Sequence, residues 1–191
     1  MTLKLKDPPG AVRDAVRDML KKICPEADIQ VADDGTVSTK EADFCTKKTE
    51  IPLPKGCTCV CEAIRSAKTI TIVVQDDLSA HGGGRTDDAK PNDTVNGTGS
   101  DETVNIENKN RWRLDKKDAG GNFIDDPDWI ILAHELCGHA VPGSKGTHPE
   151  WRPGKPGYKP NWHDDAINKE NEVRKARGVP ERPLDAGVVK K

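Results

Sequence analysis

Apolar residues recur at helical spacing near the start of the chain: Val12, Val16, Met19, Leu20 and Ile23, with arginine and lysine between them. That period makes residues 9–23 an amphipathic helix. The period then shortens to two. Ile29 and Val31 alternate with polar residues, Asp34-Gly35 supplies a turn and Val37 returns, which reads as a hairpin over 28–39. Residues 41–56, rich in Lys and Thr with Pro52 and Pro54, read as loop. Cys57-Thr58-Cys59-Val60-Cys61 alternates like a strand or marks a stapled turn. Thr69–Val74 is the clearest strand, β-branched throughout. Residues 79–100 contain His81-Gly82-Gly83-Gly84, Pro91 and Asn96-Gly97 but almost no large apolar residue, and read as a mobile loop. Thr103–Ile106 fits a short strand, and Trp112–Phe123 a loop or irregular edge ending at Gly120-Gly121.

The densest apolar run is Ile130-Ile131-Leu132-Ala133-His134-Glu135-Leu136-Cys137-Gly138-His139-Ala140. Asp126 can cap it, Pro127 suits a first helical position and Asp128 favours the positive helix end. Pro142-Gly143 is expected to stop it. One buried helix should therefore carry His134, Glu135 and His139. Residues 143–160 are rich in Pro and Gly and read as a second flexible loop. Asn161 can cap a last helix through about Arg177, with Gly178 at its end and Pro180 beyond. The tail from Glu181 is expected to be extended, and frayed over 183–191. There is no internal repeat.

Size and composition narrow the picture. A chain of 191 residues suggests one domain, and 32% charged residues with few large aliphatics leave a thin core. The net charge of −2 gives no global attraction to nucleic acid or membrane surface, and no run approaches the roughly 18–20 apolar residues of a span. The segment Met1–Leu5 is polar and lacks the character of a signal peptide. Yet six cysteines (24, 45, 57, 59, 61 and 137) are many for this size. The spacing C-x-C-x-C lacks the C-x2-C pairs of thiolate metal sites, so disulfides are expected, and with them an oxidising compartment such as the periplasm. Cys137 is either an inert buried thiol or a tether from the helix to the N-terminal half. A fragment of a larger secreted protein, or an effector with a dedicated export machine, would reconcile the cysteines with the polar start.

The histidines change the picture most. Two histidines flanking a glutamate in an apolar helix are costly to bury unpaired, and the residue types are those of a zinc site. In H-E-x-x-H the histidines are four apart and share a face. Here the spacing is five, which on a regular helix sets His134 and His139 about 140° apart. Both reach one ion only across a bulge, most simply a π-type turn, and Gly138 is where distortion is easiest. Glu135 would take a proton from water and pass it to a leaving nitrogen. The last helix offers a third ligand: His163, slightly favoured, or Glu170 seven residues on, with Ala166, Ile167 and Arg174 on the same stripe; Glu172 points elsewhere. Whichever does not ligate could orient a ligand. Tyr158 or Arg174 could serve a developing oxyanion. His148, in a Pro/Gly loop, is expected to be solvated. The His81-Gly82-Gly83-Gly84 run superficially resembles an esterase oxyanion loop, but no G-x-S-x-G turn accompanies it.

These residues carry a family resemblance. His134–His139 resembles the lengthened H-E-L-x-G-H motif of dipeptidyl peptidase III, a zinc peptidase. Over roughly 69–182 the chain resembles the small zincin-type metallopeptidase toxin domains of bacterial Rhs-type and type VI secretion spike proteins and of injected effector proteases. Those show an apolar strand, a mobile region, the H-E helix, and a helix ending in E-N-x-x-R-x-x-x-G-x-P-x-R. Here that pattern is Glu170-Asn171-Glu172-Val173-Arg174-Lys175-Ala176-Arg177-Gly178-Val179-Pro180-Glu181-Arg182. The chain departs from the family in its histidine spacing and in placing His163, not an acidic residue, seven before Glu170. The resemblance implies an α+β, zincin-like fold, with a small twisted sheet packed on an active-site helix and a C-terminal ligand helix. It also implies peptide-bond hydrolysis with Zn2+, delivery into a target cell, a protein or peptide substrate, and a cognate immunity protein. The alternatives are a metal-dependent amidase acting on cell-wall peptides and a non-enzymatic, disulfide-stabilised secreted binding domain.

Overall fold

The computed structural model describes residues 2–6, 10–47, 52–76, 78, 81, 83–107, 117–118, 120–124, 126–148 and 162–184. Strand β1 (Leu3–Leu5) precedes helix α1 (Gly10–Ile23), and β2 (Ile29–Val31) and β3 (Val37–Thr39) follow. Then come α2 (Lys55–Ile64), β4 (Ile70–Gln75), β5 (Gly84–Asp88) and β6 (Glu102–Glu107). The metal-motif run forms three continuous helical pieces: α3 (Asp128–Ala133), a π-helix (His134–Ala140) and α4 (Val141–Ser144). Helix α5 (Trp162–Ala176) comes last.

The mixed helices and strands give the α+β architecture expected from the sequence. A four-stranded sheet runs β1-β4-β6-β5. Its first three strands are parallel, and β5 lies antiparallel against β6 at the edge, with Thr86 opposite Val104. The hairpin β2-β3 forms through the turn at Asp34-Gly35 and meets β1 at Leu5 N–H, which donates to Gly35 O. Alternation in β4 buries Ile70 and Ile72 on one face. These pack with Val16, Leu20 and Ile23 of α1, Val60 and Ala63 of α2, and Leu132, Leu136 and Ala140 of the metal-motif run in one apolar cluster. Val173 extends that cluster to α5. The sheet is thus a floor on which the metal-motif helix lies.

Several expectations are corrected. Cys57, Cys59 and Cys61 lie on helix α2, not on a strand. Their alternation arises because each sulfur leaves the helix for a different partner: Cys24–Cys57, Cys45–Cys61 and Cys59–Cys137. Residues 57 and 61, four apart, share a face, while 59 points about 200° away toward the π-helix. The 79–100 stretch contains a strand, β5, and anchored turns. Gly97 N–H donates to Gly146 O and Gly99 N–H to Asp93 O. Asp126 does not cap α3; Pro127 is the N-cap residue, and the Asp126 carboxylate instead pairs with Arg174. A charge-assisted bond to a buried guanidinium outcompetes a backbone N–H. Pro142 does not stop the helix. Pro142 lies in the first turn of α4, directly after the π-helix. The chain beyond Glu181 is held at Arg182, whose N–H donates to Asn171 Oδ1. Residues 149–161, including Tyr158 and the cap Asn161, and 185–191 lie outside the described residues, as do 108–116.

Three disulfides fit an oxidising, extracytoplasmic setting. Among the described residues no helix is long and apolar enough to cross a membrane.

Candidate metal centre

The bulge that a shared ion would require of the five-residue histidine spacing is present as seven residues of π-helix. Its hydrogen bonds run over five residues, as from Val141 N–H to Leu136 O, so His134 and His139 stand one turn apart on one side. Their ring centroids are 5.0 Å apart. Helix α5 crosses this turn at Gly138. A Cβ there would sit 2.6 Å from the Ala166 Cβ, so only glycine admits so close an approach. That approach delivers His163 to the pair.

Three ring nitrogens converge. His134 Nε2 lies 2.9 Å from His163 Nε2 and 3.3 Å from His139 Nε2. Ligand nitrogens around a tetrahedral zinc with Zn–N of about 2.0–2.1 Å are about 3.3 Å apart, close to the spacing of these donors. Three imidazoles turning the same nitrogen inward is also the arrangement in which their lone pairs share one acceptor of electron density. The group is largely buried and can hold a metal ion. Burial first, then the neighbouring His134, His148 and His163, hold His139 well below the usual imidazole range, in the neutral form that ligates. The second group of ligand types among the described residues, Cys24–Glu26–Cys57, is a disulfide beside a carboxylate.

With Nε2 facing a bound ion, each ligand's proton would sit on Nδ1 and need an acceptor. His134 Nδ1 meets Glu170 Oε2 at 2.9 Å. Glu170 is fully buried and is itself held by Arg174 Nε at 2.6 Å and Arg182 Nη1 at 3.2 Å. Arg174, equally buried, spans onward to Asp126 at 2.7 Å and donates to Pro180 O. Asn171 Nδ2 donates to Arg182 O, and Gly178 turns the chain at φ 68°. The whole Glu170–Arg182 pattern is therefore one folded-back clamp behind His134.

Glu135, buried beside its histidine, accepts a hydrogen bond from Thr86 Oγ1 of β5 at Oε2, 2.8 Å. Gly84 on the same strand clears its path: a Cβ there would be 2.8 Å from Glu135 Cγ. Of the third-ligand candidates, the structure gathers His163 with the pair and sets Glu170 behind His134. Arg174 faces Glu170 and Asp126. Glu172 lies apart, paired with Lys169, and His81 is exposed. His148, expected to be solvated, meets His139 Nδ1 at 2.8 Å. Thr86, His148, Asp126 and Arg182 are contributions that sequence reasoning missed. Only Arg182 had a signal, its place in the Glu170–Arg182 pattern. No family model, curated protein or solved structure matches the chain.

Proposed function

We propose that this protein is a zinc-dependent hydrolase of peptide bonds, with a zincin-like fold, acting as an exported effector. One observation carries the reading: three histidine Nε2 atoms from the π-helix and α5 converge at ligand spacing, with a held carboxylate, Glu135, next to one of them. A mixed sheet beneath the metal helix, and a last helix bringing the third ligand, support the zincin-like assignment. Zinc held by His134, His139 and His163 would supply Lewis acidity and would acidify a bound water toward neutral pH. With a metal held by His134, His139 and His163, Glu135 would be the residue placed to take a proton from water and pass it to a leaving nitrogen. Thr86 fixes which way the carboxylate faces, and Glu170 keeps the His134 proton on Nδ1. The disulfides agree with a destination outside the producing cytoplasm, and the resemblance to toxin domains supplies delivery to a target cell and an immunity protein.

Metal analysis combined with digestion of denatured casein and of isolated peptidoglycan tests this. The expected result is one zinc per chain and casein cleavage. In Glu135→Gln, zinc should be retained while the rate falls about 10²–10⁴-fold. Cleavage confined to peptidoglycan would instead establish the amidase reading. A chain that retains no zinc would leave a binding domain with structural histidines.

A further inference from the structure

We propose that His148 is a positioning residue for the ligand His139, doing with a neutral imidazole what Glu170 does for His134 with a carboxylate. This rests on the three-histidine zinc site described above. His139 directs Nε2 toward His134 Nε2 at 3.3 Å, and its opposite ring nitrogen, Nδ1, lies 2.8 Å from His148 Nε2. A ligating Nε2 carries no proton, so Nδ1–H of His139 donates and His148 Nε2 accepts. The acceptor fixes the ring's rotation and raises the basicity of the ligating nitrogen.

His148 is built into position. Its backbone N–H donates to Thr94 O, and Thr94, buried, is fixed by its own Oγ1 bond to Pro91 O. The preceding residues are tied on both sides: Gly146 N–H to Gly143 O, Thr147 N–H to Pro142 O, and Gly97 N–H to Gly146 O. The turn after α4 and the 91–99 segment thus present one imidazole to the back of His139. The Pro/Gly-rich stretch acquires a role that its composition hides.

The test is zinc affinity at constant pH, by competition with a chromophoric chelator, for wild type, His148→Leu and His148→Gln. Leu offers no acceptor and should weaken zinc binding about 10–100-fold. Gln places an amide oxygen where an acceptor is needed and should restore most of the loss. In zinc-loaded, 15N-labelled protein, the His139 Nδ1 proton should be observed and protected from exchange in wild type and in His148→Gln, and should exchange rapidly in His148→Leu. Equal melting temperatures of the three metal-free proteins would separate this from unfolding. Unchanged affinity in His148→Leu overturns the proposal. So does a metal-bound nitrogen on His148 itself, which would make it a ligand. A wild type without zinc affinity overturns the site reading and the proposal with it, a result distinct from either.

Discussion

Helices α5 and α2 both pack on the π-helix, and they hold it by opposite means. On the α5 side there is no covalent link. A glycine lets two backbones approach, and a buried network runs from Asp126 through Arg174 and Glu170 to His134. On the α2 side a single disulfide, Cys59–Cys137, crosses 78 residues of sequence among apolar neighbours. The network is directional, since each member fixes the angle of the next, and removing one leaves charges buried without partners. The bridge is indifferent to charge and sets only distance. The comparison teaches that α5 orients the candidate ligand histidines while α2 locates the helix that carries two of them.

That division is open to attack, beginning with the change expected to disturb zinc binding most. Arg174→Met leaves Glu170 and Asp126 buried without their shared cation. It should cost about 3–5 kcal/mol in urea unfolding and weaken zinc binding sharply. An unchanged unfolding midpoint would show that the network supports nothing. Gly138→Ala forces α5 away from the π-helix; overpacking of this kind costs about 1–3 kcal/mol, and His163 should lose its place. Adding Ala166→Gly should recover both stability and zinc affinity, a coupling that a double-mutant cycle measures. Replacing Cys59 and Cys137 together by alanine should lower stability by about 2–4 kcal/mol but reduce zinc affinity less than Gly138→Ala does. An equal loss of affinity would mean that α2 aims the ligands too.

The last prediction should leave zinc binding untouched. Glu102, buried at the start of β6 opposite Asp88, has its carboxyl pushed up to about 10 by burial first and then by Asp88 and Asp101. The folded state keeps this proton where the unfolded chain, near the ordinary 4.5, releases it. Stability from this group is full below about 4.5 and drains as pH rises toward about 10. Glu102→Gln should match wild type at pH 4 and exceed it by an amount growing about 1.4 kcal/mol per pH unit above the ordinary value. Urea unfolding at several pH values checks the slope.

The legible parts of the fold were those with a strong local period: α1, the hairpin, β4, β6 and α5. The π-turn was also legible, because bringing His134 and His139 to one side of the helix at a spacing of five requires it. The rest was hidden for specific reasons. The cysteines of α2 mimicked a strand because Cys57 and Cys61 leave one face of the helix and Cys59 the opposite one, each for a different partner. Strand β5 (Gly-Arg-Thr-Asp-Asp) has no apolar face, since it serves as an edge whose buried contribution is a glycine. His148 could not be placed because its neighbours in space, Thr94 and His139, come from different segments. Asp126 looked like a cap because its true partner, Arg174, is 48 residues away.

The extra residue between the histidines has a consequence for how this chain can change over generations. Deleting one residue would restore the shorter spacing of an ordinary helix. Yet the two positions on which the distortion centres are each committed: Cys137 to its bridge with Cys59, Gly138 to its contact with Ala166. Losing either would sacrifice a support while the ligands were still rearranging. The long spacing is therefore locked in by its neighbours, and a chain that shortened it would have to replace both supports at once.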